Sequence, residues 1–520
     1  MTYGAGMQSR VPRATGQPVR SRWGRRGGLG FLASALVLVT WPGAPAQAAA
    51  PGEPDPALAR YYAQEIAWRP CQELECAELT VPRDYADPGA GDISIALSRA
   101  RTRAASPLGS IVINPGGPGG SGVDFAGYAA TGIMPAVAAK YHVVGFDPRG
   151  VGASAPVTCM TGRQTTAWLR TDLTPDTPAE EQALMRRAAT IGPGCLAISP
   201  SIARHVASEE TIRDMDVLRA ALGDERLNLL GFSYGTYLGA LYAERFPDRV
   251  GRFVLDGAVD PALDVMQVSQ GQSRGFQAAF ARFAAHCARQ AGCPGGRSAA
   301  AVTAWVNRLL QRLDRSPLPT DSGAPLNQAQ AITAIFFAMY STDTWPSLRA
   351  GLADAAAGDG SGLQFLADYA ADRVGPNRYG SNQNSAFYAI SCWDFPAPPG
   401  RSGLQAAARE WSADAAVPEL ARAMSWGNAP CTTWYGHSAK PPAPVSTSTT
   451  APILVVGTRH DPATPYAWAQ ALHAQLPTSA LLTYEGDGHT AYGSGSSCID
   501  RTIDAYFLTG AMPAEGKSCS

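Results

Sequence analysis

The run Gly231-Phe232-Ser233-Tyr234-Gly235 sets a serine between two glycines, after an apolar stretch at 227–231 and before a helix-like stretch at 237–245. A serine hydroxyl is a weak nucleophile until a neighbouring base takes its proton. On a sharp strand-to-helix turn its oxygen is exposed, and small flanking residues permit that turn. The pattern is short, so an ordinary serine in a tight turn stays open as the alternative. Chemistry at Ser233 needs an orienting acid and then a histidine, in that chain order for this topology. Asp461 follows an apolar run at 453–457, and His489 follows another at 481–484. His460 is the rival base, but it adjoins the acid. Asp487 is the rival acid, but it is only two positions from His489. Developing negative charge on a carbonyl oxygen needs donors. The Tyr234 backbone N–H, just after the serine, is one candidate. The other is Gly117, with Gly116 next, in Asn114-Pro115-Gly116-Gly117-Pro118-Gly119-Gly120-Ser121-Gly122. A phosphate-binding loop is the rival for that stretch, but its G-K-[S/T] ending is absent.

These residues need elements that bring them together. Short apolar runs at 111–114, 141–147, 227–231, 253–255, 453–457 and 481–484 each end in turn residues and read as buried strands. Helical patterns separate several of them. The clearest covers 209–222, with Ser208 as its expected cap, Glu209 and Glu210 at its positive end and Gly223 after it. Strand–helix alternation implies a mostly parallel sheet with helices on both faces. The alternation stops between 261 and 444, where the chain reads mainly helical, as at 275–289, 299–313 and 328–340. The expected layout is therefore an export segment at 1–48, a first core part at 49–260, a helical lid or cap at 261–444 and a second core part at 445–520.

The 520 residues are 45% hydrophobic with a formal net charge of −1, enough for a large core and without the basic excess of a nucleic-acid binder. The first 48 positions hold six arginines and no acid, then an apolar run and Ala46-Gln47-Ala48, the pattern of a secretory signal. The apolar run is shorter than the ~20 residues that span a bilayer, and no later run is long enough. Export makes the ten cysteines candidates for disulfides. Short loops close cheaply, so neighbours in sequence should pair: 71–76, 159–195, 287–293, 392–431 and 498–519. No C-x-x-C occurs, and no metal or cofactor is called for.

The glycine-rich run, Gly145-Phe146-Asp147-Pro148-Arg149-Gly150-Val151-Gly152-Ala153-Ser154, the Gly231 to Gly239 stretch and Asp461-Pro462-Ala463-Thr464-Pro465 resemble the secreted tripeptidyl aminopeptidases of actinobacteria. The likeness runs from about Trp68 to the C-terminus and includes Ile390-Ser391-Cys392-Trp393-Asp394. It implies an α/β-hydrolase fold and release of short peptides, often tripeptides, from free N-termini. The related proline iminopeptidases carry H-G-G-P-G where this chain has Pro115-Gly116-Gly117-Pro118-Gly119, so that specificity is not implied. Asp147 and Arg149 are expected to brace the oxyanion loop. An exopeptidase must pair the substrate ammonium with a carboxylate, and Asp394 in the helical segment is the candidate. Trp393, Trp426 and Trp434 are expected in the core of that segment rather than along a cleft. A secreted esterase or lipase with the same residues is the alternative. A catalytically dead hydrolase fold used for binding is the third reading. After export the protein would be extracellular or associated with the cell envelope, with a monomer as the simplest state.

Overall fold

A computed structural model describes residues 56–438 and 440–520, so the export segment expected at 1–48 lies outside them. Ten strands form one sheet in the order β1-β2-β3-β5-β4-β6-β7-β10-β11-β12. They are β1 (Arg69–Cys71), β2 (Leu74–Pro82), β3 (Asp92–Ala100), β4 (Ser110–Asn114), β5 (His142–Phe146), β6 (Leu227–Phe232), β7 (Val250–Asp256), β10 (Ile453–His460), β11 (Ser479–Asp487) and β12 (Ser518–Cys519). The remaining pair, β8 (Arg373–Gly375) and β9 (Arg378–Tyr379), makes a separate small ladder. Pairing is antiparallel from β1 through β3 to β5 and parallel from β5 to β12.

Each apolar strand run feeds two cores because successive side chains point to opposite faces. Val112, Leu229, Leu255 and Val455 enter one cluster. Ile111, Leu230, Val254 and Leu454 enter the other. Burial on both faces is what a parallel sheet covered by helices requires. β2 and β3 escape a search for continuous apolar runs because they alternate. Leu79 and Val81 are buried while Glu78 and Thr80 are exposed, and in β3 Ile95 and Leu97 are buried.

Between β7 and β10 the chain is mainly helical and holds a core of its own, including Phe280, Leu310, Ile335, Leu348 and Leu420. The helix expected at 275–289 starts earlier, as Val265–Cys287. Asp264 accepts a hydrogen bond from Gln267 N, and the Gln267 side chain accepts from Asp264 N. This reciprocal cap fixes the true start. The other two helices form as Ala299–Arg315 and Gln328–Met339. Ser208 is not a cap but the first residue of its helix, Ser208–Ala221, with Ala207 before it. All five cysteine pairs form as the spacing suggested: 71–76, 159–195, 287–293, 392–431 and 498–519. Among the described residues no helix is long and apolar enough to cross a membrane.

Candidate active site

Because β4, β6, β7, β10 and β11 are parallel, the loops that leave them emerge at one edge of the sheet, where ligands bind in open α/β sheets. Ser233 follows β6 with φ 53° and ψ −120°, and the helix Tyr234–Arg245 begins at the next residue. A non-glycine residue at positive φ is held there at a cost. The flanking glycines are demanded by close approach. A methyl on Gly231 would lie 2.4 Å from Gly235 O, and one on Gly235 would lie 2.9 Å from Asn114 O.

Asp461 and His489 are brought together from separate strand ends. His489 Nδ1 lies 2.9 Å from both Asp461 carboxylate oxygens. The Ala463 and Thr464 amides donate to Asp461 Oδ1 at 2.9 and 2.8 Å, and the Thr464 hydroxyl donates to Oδ2 at 3.0 Å. Burial alone would disfavour a charged imidazole, but the Asp461 charge and hydrogen bond outweigh it. The nearby Asp256 adds to them, so the His489 pKa is raised. No hydrogen bond joins Ser233 Oγ to His489 among the described residues, a common state before substrate binds. The two are linked through β7: Ser233 N donates to Asp256 O at 2.9 Å, and a methyl on the next residue, Gly257, would lie 3.1 Å from His489 Cε1. The two rivals stand elsewhere. His460 is exposed, and Asp487 makes a two-point ion pair with Arg282 on the Val265–Cys287 helix.

The glycine-rich loop sits directly over the serine turn. A methyl on Gly116 would lie 2.9 Å from Ser233 Cβ and 3.4 Å from Tyr234 N. The Gly116 amide is already used, donating to Asn114 Oδ1 at 2.9 Å. The Gly117 amide has no acceptor among the described residues. Tyr234 N, first in its helix, has no intrahelical acceptor. Asp147 braces this loop as expected: it accepts from Ser121 Oγ at 2.6 Å, Val123 N at 3.2 Å and Ala153 N at 2.8 Å. Arg149 does not. It is fully buried and forks onto Asp214 at 2.7 Å, with the Pro82 and Arg83 carbonyls at 3.1 and 3.0 Å, pinning the Ser208–Ala221 helix to the end of β2.

Asp394 ends the helix Gln383–Asp394 and accepts from Ser208 N at 2.7 Å and Ser208 Oγ at 2.6 Å. Ser208 Oγ also meets the Tyr234 hydroxyl. The carboxylate is therefore joined through Ser208 to the side chain that follows the nucleophile candidate. Burial, only partly offset by the Ser208 bonds, pushes its pKa up to about 7. Trp426 and Trp434 are buried not in the helical segment's own core but in the cluster that also holds Val112 and Leu229 of the sheet, and Trp393 packs against Tyr435 with ring centroids 5.7 Å apart.

Three residues escape the sequence reading. Thr464 touches both acid and base: its hydroxyl is also 3.3 Å from His489 Nδ1. Asp256, fully buried, accepts from the Ala491 and Tyr492 amides at 3.0 and 2.8 Å and so holds the loop after His489. Burial, offset in part by those two amides, raises its pKa to about 6. Its signal was available, since it ends the β7 run at the same sheet edge as Ser233. Tyr340 packs edge-on against His489, with centroids 5.3 Å apart at 89°. Among the described residues one group, Asp84, His205 and Glu210, brings possible metal-ligand atoms within 4.8 Å. The Arg149 guanidinium already lies 3.2 Å from Glu210.

A mostly parallel sheet, a strained serine after a central strand and an acid–histidine pair on two later loops define an α/β-hydrolase of the serine type. Residues 417–519 match the family model described as TAP-like protein. The chain is 35% identical over 487 residues to serine protease Hip1 of Mycobacterium tuberculosis, covering 88% of this chain and 91% of that protein. It is 33% identical over 492 residues to the tripeptidyl aminopeptidase of Streptomyces lividans, covering 89% and 88%. It is also 35% identical over 494 residues to carboxylesterase B of M. tuberculosis, covering 90% and 93%. Among solved structures, an acetylester hydrolase from Corynebacterium glutamicum aligns with 16% identity and a TM-score of 0.38, covering 84% of this chain and 96% of that one. The chain belongs to the TAP-like family of α/β-hydrolase serine peptidases.

Proposed function

We propose that the protein is an exported serine exopeptidase that releases short peptides, tripeptides among them, from free N-termini. The observation that carries this reading is the pair of 2.9 Å contacts from His489 Nδ1 to Asp461, next to a serine held at positive φ. In this mechanism Ser233 Oγ attacks the scissile carbonyl while His489 Nε2 takes its proton. Asp461 holds Nδ1–H and stabilises the imidazolium that forms. The amides of Gly117 and Tyr234 receive the oxyanion. As the tetrahedral intermediate collapses, His489 gives the proton to the departing amine and leaves an acyl-enzyme on Ser233. Water, deprotonated by the same imidazole, then releases the short peptide acid and restores Ser233.

The helices of 261–444 act as a lid between the two core parts, 49–260 and 445–520, and Asp394 within it pairs with the substrate ammonium. Its present partners are the amide and hydroxyl of Ser208, both neutral donors, so its charge is left for a cation. Five disulfides suit an oxidising compartment outside the cytoplasm, which the segment 1–48 would address.

The second reading is a carboxylesterase, favoured by the 35% identity to carboxylesterase B. Rates on tripeptide amides with a free amine, the same amides with the amine acetylated, and simple acyl esters decide between them. The exopeptidase reading expects the free amines to be cleaved and the acetylated ones not. Cleavage that ignores the block, or turnover of esters alone, contradicts it.

A further inference from the structure

Four aromatic side chains stand near His489 in the helical region: Tyr340 against the imidazole, and a track of Phe337, Tyr369 and Phe365 that begins three residues before it. Tyr340, just past the Gln328–Met339 helix, meets the imidazole edge-on, and its carbonyl accepts the His489 N–H at 2.8 Å. Phe337 is its neighbour three residues back, one turn along the same face. The Phe337 ring lies 5.3 Å from that of Tyr369, and Tyr369 lies 6.5 Å from Phe365, both in the helix Ser361–Ala370. The track is open to solvent: Tyr340 is 42% exposed, Tyr369 64% and Phe365 66%. Single exposed rings are ordinary, but a contiguous row marks a binding surface. The neighbouring charges cancel, since Arg373 and Asp368 pair at 3.0 Å.

We propose that this track is the leaving-group side of the substrate site and takes apolar side chains of the polypeptide downstream of the scissile bond. The proposal rests on the peptidase reading above. The chemistry fixes the side. His489 Nδ1 is turned to Asp461, so Nε2 is the nitrogen that returns the proton to the departing amine. The downstream chain must therefore leave past the imidazole, where Tyr340 stands. The spacing fixes the conformation. An extended peptide presents side chains on one face every two residues, about 6.5–7 Å apart. The Tyr369-to-Phe365 step of 6.5 Å matches that repeat, and the Phe337-to-Tyr369 step of 5.3 Å is shorter. The occupant is thus an extended, uncharged segment with apolar residues at alternate downstream positions.

The test uses substrates that share the same three N-terminal residues. One ends in a small aryl amide. Two are extended by four residues, with Leu and Phe at the first and third downstream positions in one and Gln and Ser in the other. The wild-type enzyme is expected to favour the apolar extension in kcat/KM by about fivefold or more, mainly through KM. The double variant Phe365→Ser with Tyr369→Ser is expected to bring that ratio to about one, and Phe365→Leu with Tyr369→Phe to keep most of it. A wild-type ratio of one, or a ratio the serine variant does not change, overturns the proposal. So does loss of binding to phosphatidylglycerol vesicles in the serine variant with the peptide ratio intact, which would assign the rings to a lipid surface. If the wild-type enzyme turns over acyl esters but not even the small amide, it is the peptidase reading that fails.

Discussion

At the edge of the sheet the Asp461 carboxylate meets His489, the amides of Ala463 and Thr464 and the Thr464 hydroxyl, all within 3.0 Å. In the helical segment the Asp394 carboxylate has, among the described residues, Ser208 as its hydrogen-bond partner, and burial pushes its pKa up to about 7. The first acid is over-determined by a loop folded around it. The second carboxylate, at the end of its helix, bonds to one serine among the described residues. The contrast separates two tasks. A group that orients a catalytic base gains from having no alternative position, whereas a group that recognises a substrate charge must have capacity left for it.

Substitutions at the two places should therefore differ in size and in kind. Ser233→Ala removes the nucleophile and should lower kcat by about 10⁴- to 10⁶-fold with the melting temperature unchanged. Steady-state kinetics and calorimetry on the same preparation read both. Asp461→Asn keeps the shape but favours the wrong imidazole tautomer, and about 10⁴-fold in kcat is expected. A drop of less than tenfold would remove Asp461 from its role.

Asp256→Asn should cost about 10- to 100-fold through misplacement of the His489 loop. It also carries a signature in pH. His489 must be neutral to act, and its raised pKa puts the acid limb of kcat/KM above the usual imidazole value of ~6.5. Asp256 contributes to that rise, so removing its charge should move the limb to lower pH. A limb that stays in place contradicts the electrostatic part of its role. The smallest effect is at Asp394. Asp394→Asn should raise KM about tenfold for peptides with a free amine and leave acetylated esters untouched. In the wild type, KM for free amines should fall as pH rises through about 7 and the carboxylate ionises. A flat KM across that range would place the amine elsewhere.

The same division governs what could be read from the residues. Ser233, Asp461 and His489 stand just after apolar runs that became parallel strands, and parallel strands put their following loops on one edge. The five cysteine pairs were legible because each joins cysteines that are neighbours in the sequence. The role of Ser208 was not, because its hydroxyl meets Asp394 from 186 positions away. Tyr340 was hidden for a similar reason: nothing in a helix pattern says which ring will face an imidazole contributed by a different strand. Asp256 was missed through a boundary, since the strand expected at 253–255 runs one residue further, to Asp256. Arg149 was read as a brace for the oxyanion loop. Its long side chain instead bonds to Asp214 and to the carbonyls at the end of β2.

In the proposed mechanism His489 makes Ser233 nucleophilic. Treating the folded protein with a fluorophosphonate, and locating the adduct by mass spectrometry in wild type and in His489→Ala, tests it most directly. One adduct is expected, on Ser233, with activity lost in proportion, and labelling at least about 10³-fold slower without the imidazole. Labelling on another residue, or of Ser233 at equal speed in the His489→Ala variant, would contradict it.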